Sequence, residues 1–401
     1  MTTATEGAER AVDTWLQRIR KGPPGPFPHR LVARAVQAYG TTALPARLRG
    51  QLVEAWEWAR NCSLEPGSQD WATAAWLACL TASLRNTPSY GAYTMTSLFG
   101  QWSRLGDFPR RNAQLSALLT ADLIRHELRR ATHEDHLGER RSRTTAATLL
   151  ARHLDEERGW SETNCRPKHQ GGPQAIQRCN HLLSAGGRGL PTTLALLVES
   201  SLPVATAEPD EPLFIRSVQI MELLAEQAAF HLSETRRQAH ATTPEPSALA
   251  VLLHATADSL DRAQHVFRLV STIDPAQFAT IRAATAGTGA LQSTGFARLE
   301  RCCRGADALR PETVDAVGLA TAPAPAPSLS ATLARVTTRL EAHNQTAAEQ
   351  LRMAIQAVNE QWQRWKRTHL GVAKKIIGDV PGTGGTDGVR YLARHLEEPL
   401  L

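Results

Sequence analysis

The chain has 401 residues, 42% of them hydrophobic, and a formal net charge of +6. It is long enough for two domains with sizeable cores, yet no run approaches the ~20 apolar residues of a bilayer-crossing helix, and the opening MTTATEGAER lacks the basic-then-apolar order of a secretory signal. A soluble cytoplasmic protein is expected, not a membrane protein, and the arginines lie along helix-like segments with no basic tail or aromatic-interleaved basic block, which argues against nucleic acid as a partner.

Alanine, leucine and arginine dominate and few stretches show strand-like alternation, so the expected class is mainly α. The first 155 or so residues predict helices over Val12–Arg20, Arg30–Ala38, Ala46–Ala59, Trp71–Leu84, Asn112–Arg130 and Ser142–Glu157. Seven of the nine tryptophans lie at or before Trp160, where they read as core and helix-packing residues. Residues 1–158 are therefore expected to form a helical N-terminal domain, and 159–189 a glycine-rich polar linker. That linker holds Cys165, His169, Cys179 and His181, which by residue type could make a tetrahedral zinc site. Their spacing matches no usual paired-ligand pattern, and the six cysteines, with no regular framework, read as reduced thiols.

From Leu190 onward come Leu194, Leu196, Leu197 and Pro203, then a helical segment from Asp210 through Phe214, Val218, Gln219 and Glu222 to Leu223. A block from Leu260 to Glu300 includes Ile273-Asp-Pro275, Phe278, Arg282, Gln292-Ser293 and Phe296-Ala297. Breaks fall at Thr243–Pro246 and at the Pro-Ala run Ala322–Pro327, which reads as an extended connector. A long C-terminal helix follows. Leu351, Ile355, Val358, Trp362, Trp365, Val372 and Ile376 put one apolar stripe on it, and His369 occupies the slot between Trp365 and Val372.

A histidine on the inner stripe is either neutral and hydrogen-bonded or coordinated. The sequel is Gly378 and then GTGGTDG over Gly382 to Gly388, a loop whose backbone N–H groups can converge on anionic oxygens. No lysine follows the glycines and no strand precedes them, so neither a P-loop nor a dinucleotide fingerprint is present.

The run from Trp365-Lys-Arg-Thr-His369 through Gly382–Gly388 to Tyr391-Leu392 resembles the chain end of tryptophan 2,3-dioxygenase. The resemblance covers roughly the last half of the chain. The segment at Asp210-Glu-Pro-Leu-Phe214-Ile is similar to that family's distal helix, and the Leu260–Glu300 block to the following helix and turn. The resemblance implies a helical-bundle heme domain over 190–401, with the N-terminal helical domain as an addition. It further implies a b-type heme with His369 as axial ligand and Trp365, Gly382, Thr383, Gly384, Gly385 and Gly388 shaping the pocket. Phe214, Val218, Phe296, Ala297 and Thr383 would face an aromatic substrate and dioxygen. Family members assemble as tetramers. Here a homo-oligomer, dimer or tetramer, is expected.

Three departures bear on chemistry. Val218 stands where the family has a distal histidine, and Phe296-Ala297 where it has Tyr-Arg. That arginine grips the free carboxylate of tryptophan, a charge-assisted contact of about 1.5–3 kcal/mol. Arg298 is adjacent, but one step along a helix turns a side chain by about 100 degrees. The expected substrate is therefore an indole or related aromatic whose carboxylate is absent, modified or tethered to a carrier protein. Insertion of dioxygen with ring cleavage is the leading expectation. A monooxygenase, peroxygenase or rearrangement reaction and a non-catalytic heme-binding module remain open. Glu222 fits either a salt bridge or a functional role. His231, His254, His265 and His343 read as surface or satisfied core histidines.

Overall fold

A computed structural model describes residues 2–22, 25–85, 89–130, 137–151, 154, 175–177, 179–180, 182–183, 192–285, 288–304, 310–317, 328–382 and 385–401. The described residues are helical and turn structure with no strand, and none of their helices is long and apolar enough to cross a membrane. By internal contacts the chain forms two compact units, Met1–Gln219 with Thr272–Thr288, and Ile220–Ser271 with Gly289–Leu401. Residues 190–219 and 272–288 thus group with the N-terminal helices. Of the linker 159–189, almost everything, including Cys165, His169 and His181, lies outside the described residues, whereas Cys179 is buried.

The first unit begins with α1 (Thr2–Ile19), which starts ten residues before the predicted Val12, and with α2 (His29–Tyr39), α3 (Ala46–Arg60) and α4 (Gln69–Leu84), close to the predicted spans. The short helices α5 (Tyr90–Tyr93) and α6 (Thr96–Ser103), which periodicity did not reveal, precede α7 (Phe108–Arg130) and α8 (Leu137–Ala151). Trp15 meets Phe27 and Trp58 edge to face at 5.1 and 5.2 Å, and Phe27 and His29 both contact Trp76, so these tryptophans are core residues. Buried His29 places Nδ1 3.0 Å from the Phe27 carbonyl and Nε2 3.1 Å from Thr73 Oγ1, and burial pushes its pKa down to about 4.

After α9 (Thr192–Ser200) the chain enters α10 (Glu211–Ala239), whose first half is pinned within this unit by buried polar groups. Glu211 accepts hydrogen bonds from Tyr93 Oη at 2.8 Å and from the Ala205 and Thr206 amides at 2.6 and 2.8 Å. Burial raises its pKa despite those donors. Asp210 takes Arg143 at 2.8 Å, Arg130 at 3.0 Å and the Asp274 amide at 2.9 Å. Burial alone would raise this carboxyl, but the amide and the two guanidiniums outweigh it and hold it below the usual range. Arg216, 2% exposed, donates to Asp122, Ser201, Gln219 and the Val198 carbonyl at 2.7–2.8 Å. Gln219 passes the network on to the Thr94 and Ser201 carbonyls. The Asp-Glu pair at the head of α10 is thus structural. Asp274 also caps α12 (Pro275–Ala284), with Pro275 at the first helical position.

The second unit is built on α11 (Pro246–Val270) and α16 (Gln345–Ile376). Gln264 Nε2 reaches Thr368 Oγ1 at 3.2 Å and Lys375 Nζ reaches the Ser271 carbonyl at 2.5 Å, both at a separation of 104 residues. A constant separation means that the two helices run parallel. Buried Leu249, Leu253, Thr256, Leu260, Ala263, Phe267 and Val270 alternate four and three residues apart, which is the seam of a left-handed helix pair. On α16 the seam is Ala347, Leu351, Ala354, Val358, Trp362, Trp365, Val372 and Ile376. Ala354 takes the buried place that periodicity assigned to Ile355, which is only half-buried. Two successive four-residue steps, Ala354 to Val358 to Trp362, form a stutter that locally unwinds the pair just before the tryptophans. Asn344 Oδ1 caps α16 by accepting from the Ala347 amide at 3.0 Å.

Candidate functional site

The inner face of α16 past the stutter carries Trp362, Trp365 and His369, each one turn from the next. The His369 imidazole stacks on Phe267 of α11, with centroids 4.8 Å apart and planes at 17°, and Trp365 leans against it at 5.4 Å. Trp365 in turn stacks on Trp362 at 5.0 Å and 12°, and on Phe296 at 4.4 Å and 24°. Phe296 lies half-buried in the first turn of α13 (Thr294–Arg304), and Ala297 beside it is buried. The result is one aromatic wall inside the second unit.

Its polar groups are unusual in what they lack. No described residue hydrogen-bonds either imidazole nitrogen of His369, a part-exposed residue whose crowded ring is pushed down to a pKa of about 4 by burial alone. It is therefore neutral at physiological pH, with an uncommitted nitrogen lone pair. The indole Nε1 atoms of Trp362 and Trp365 are buried and also have no partner. A buried donor left unmade costs about 1–3 kcal/mol. Two such donors, on consecutive turns beside the uncommitted imidazole, set this stripe apart from an ordinary packing face.

The turn before Phe296 is held by Glu222, which accepts from Ser293 Oγ at 2.5 Å, Thr294 Oγ1 at 3.0 Å and the Gly295 amide at 2.6 Å. Burial raises this carboxyl's pKa, and the three donors only partly offset it. A Cβ at Gly295 would lie 2.9 Å from the Glu222 carbonyl oxygen, so the close approach needs glycine. Glu222 is a latch on the turn, a role the sequence left open. Arg298 places Nη1 2.8 Å from both carboxylate oxygens of Glu226 and is committed there. It does not stand in for an arginine at position 297.

Beyond α16, Gly378 (φ +63°) sends its amide back to the Ala373 carbonyl, ending the helix as glycine does. The Gly382 amide donates to the Thr386 carbonyl at 2.8 Å, and a Cβ on Gly382 would strike Thr386 Oγ1. Gly388 (φ +61°) packs so close to the Val380 carbonyl that a Cβ would sit 2.7 Å from it. Gly385 also has a positive φ. Thr383 and Gly384 lie outside the described residues. After α17 (Val389–Arg394) the chain returns to α16, where Asn359 Oδ1 accepts from the Leu400 and Leu401 amides and Lys366 Nζ donates to the His395 and Glu398 carbonyls. Both ends of the glycine turn are thereby fixed to the helix that carries His369.

No protein-family model matches the chain. The tryptophan 2,3-dioxygenase of Bradyrhizobium diazoefficiens is 26% identical over 228 residues, which cover 48% of this chain and 81% of that protein. The tryptophan 2,3-dioxygenase of Exiguobacterium sibiricum is 45% identical over 40 residues, 10% of this chain and 14% of that protein. The chain is a divergent relative of the tryptophan 2,3-dioxygenases. Their resemblance singles out residues in both units. His369, Trp365, Phe296, Ala297, Gly382 and Gly385 fall in the second. Phe214 and Val218 fall in the first, where Phe214 meets Phe278 edge to face at 5.2 Å and Val218 is buried.

Among the described residues no group of three or more histidines, cysteines and carboxylates could hold a metal ion. The dioxygenase resemblance did not point to Phe267 or Trp362. Phe267 was detectable only as one more apolar residue at helical spacing. His254 and His343 are exposed, His265 turns Nδ1 to the Asp261 carbonyl, and His231 lies against Gln227 at 3.0 Å, all consistent with surface or core roles.

Proposed function

We propose that this protein is a heme-dependent oxygenase of the tryptophan-dioxygenase type, acting on an indole or related aromatic substrate that lacks a free carboxylate. The observation that carries the reading is the His369 imidazole, stacked on Phe267 and bonded to no described residue, on a stripe that ends in a glycine turn. This donor fits an iron porphyrin, which takes one neutral imidazole from the protein and wants an apolar aromatic surround. His369 would ligate the iron of heme b, Trp365 would border the cofactor, and the turn at Gly382, Thr383, Gly384 and Gly385 would offer amides to anionic oxygens. When bound, the heme supplies the iron that activates dioxygen, and the protein supplies orientation and a dry cavity.

The substrate side follows from what this chain's residues can bind. Buried Ala297 offers no charge, and Arg298 is paired with Glu226. Phe296 gives an aromatic face instead of a hydroxyl. Thr383 would anchor an amino or other polar group. An ester, an amide, a decarboxylated amine or a carrier-tethered acyl group meets these requirements where free tryptophan does not. The reading includes a cytoplasmic homo-oligomer, dimer or tetramer.

Expression with heme supplementation tests it. The wild type should show a Soret band, and a panel of tryptophan, its esters, its amides and its decarboxylated form should show turnover of the forms without a free carboxylate. Product mass then separates insertion of two oxygen atoms from insertion of one. Efficient turnover of free tryptophan would remove the substrate proposal, and absence of heme uptake the whole reading.

A further inference from the structure

A metal-bound histidine ordinarily donates its second ring nitrogen to a carboxylate or carbonyl, which fixes the plane of the imidazole and raises its basicity. His369 has no such partner among the described residues. What it has is Phe267, whose ring lies nearly parallel to the imidazole at 4.8 Å. Trp365 closes the wedge, tilted 51° to Phe267 at 5.7 Å and 55° to His369. Phe267 is 8% exposed and sits on the buried seam of α11, and the α11–α16 register on either side of it is tied by Gln264 to Thr368 and by Lys375 to the Ser271 carbonyl. The stacked ring is therefore set by the helix pair, not by a mobile side chain.

We infer that Phe267 is a positioning residue for His369, fixing the imidazole plane by face-to-face stacking in place of a hydrogen bond. The inference rests on the reading of His369 as a heme ligand. It has two consequences. The orientation of the ligand ring follows the register of the two helices. The imidazole also stays a plain donor, because no described residue accepts from its second nitrogen to strengthen it.

The test compares wild type, Phe267→Leu, which removes the flat face at similar volume, and Phe267→Tyr, which keeps it. In the heme-free protein, proton NMR of the His369 ring, assigned by its loss in His369→Gln, should show an upfield ring-current shift in wild type and Phe267→Tyr that disappears in Phe267→Leu. In the heme-loaded ferric protein, Phe267→Leu should broaden and shift the electron paramagnetic resonance signal that reports the ligand plane. It should also lose heme to apomyoglobin roughly tenfold faster, the scale of removing an outer partner of a metal ligand. Phe267→Tyr should match wild type in both. If the leucine variant does not fold, Phe267→Met takes its place. An unstacked variant with unchanged resonance and heme-loss rate overturns the inference while leaving the functional reading intact. A wild type that takes up no heme removes the functional reading and this inference together.

Discussion

The head of α10 and the inner face of α16 both carry polar side chains in apolar surroundings, but they treat them in opposite ways. Around Asp210, Glu211, Arg216 and Gln219 each charge has found a partner. Around His369, Trp362 and Trp365 the polar atoms have found none among the described residues. Buried polar groups are usually paired, so the α10 cluster speaks of architecture, while the unpartnered indoles beside the imidazole are what the proposed ligand would meet. The contrast separates two sets of residues that the family resemblance alone had left side by side.

The largest test of that contrast is His369→Ala. It should abolish the Soret band of the heme-loaded protein while circular dichroism stays unchanged, since no described residue depends on the imidazole for a hydrogen bond. Asp210→Asn or Arg143→Met should do the reverse. Removing one partner of a buried pair costs about 3–5 kcal/mol, visible in urea or thermal unfolding and with no direct effect on heme absorbance beyond that loss. A cost below about 1 kcal/mol would show that this network does not hold the first unit together.

Acid should act on the first unit through Asp210 and His29. The Asp210 carboxyl is held below its ordinary value, so its contribution is present above about pH 3.9 and lost as pH falls through the folded value. His29 is buried neutral with a pKa of about 4, against about 6.5 when unfolded. Between those values the unfolded state binds the proton first, so stability falls as pH drops from 6.5 toward 4. His29→Gln should remove up to about 1.4 kcal/mol per pH unit of that slope, read from unfolding at several pH values. The smallest effect compares two tryptophans. Trp76 donates Nε1 to the Ser200 carbonyl at 3.0 Å, while Trp362 donates to nothing described. In the heme-free protein Trp76→Phe should cost about 1–3 kcal/mol more than Trp362→Phe. Equal costs would mean that Trp362 has a partner after all.

Local pattern carried much of this in advance. The helices of the first unit, the inner position of His369 and the stop at Gly378 all follow from spacing and residue type, because they depend on neighbours within a few residues. The short helices 90–93 and 96–103 escaped because they are too brief to show a period. The stack of Phe267 on His369 escaped for a different reason. It depends on a pairing 102 residues long in sequence, and nothing in either helix alone names its partner. The roles of Asp210, Glu211 and Glu222 were likewise hidden, since a carboxylate reads the same in sequence whether it caps a turn, holds an arginine or serves a reaction.

The parallel pairing of α11 with α16 also governs the order in which the molecule can be completed. A ribosome that has finished α11 has released the apolar edge from Leu249 to Val270, but its mate begins only at Gln345. Contacts between distant segments form late and slowly, and an uncovered apolar edge is prone to aggregate while it waits. The imidazole and the ring that steadies it therefore meet among the last events of folding, so the candidate site is a product of the finished second unit and not of any fragment that precedes it.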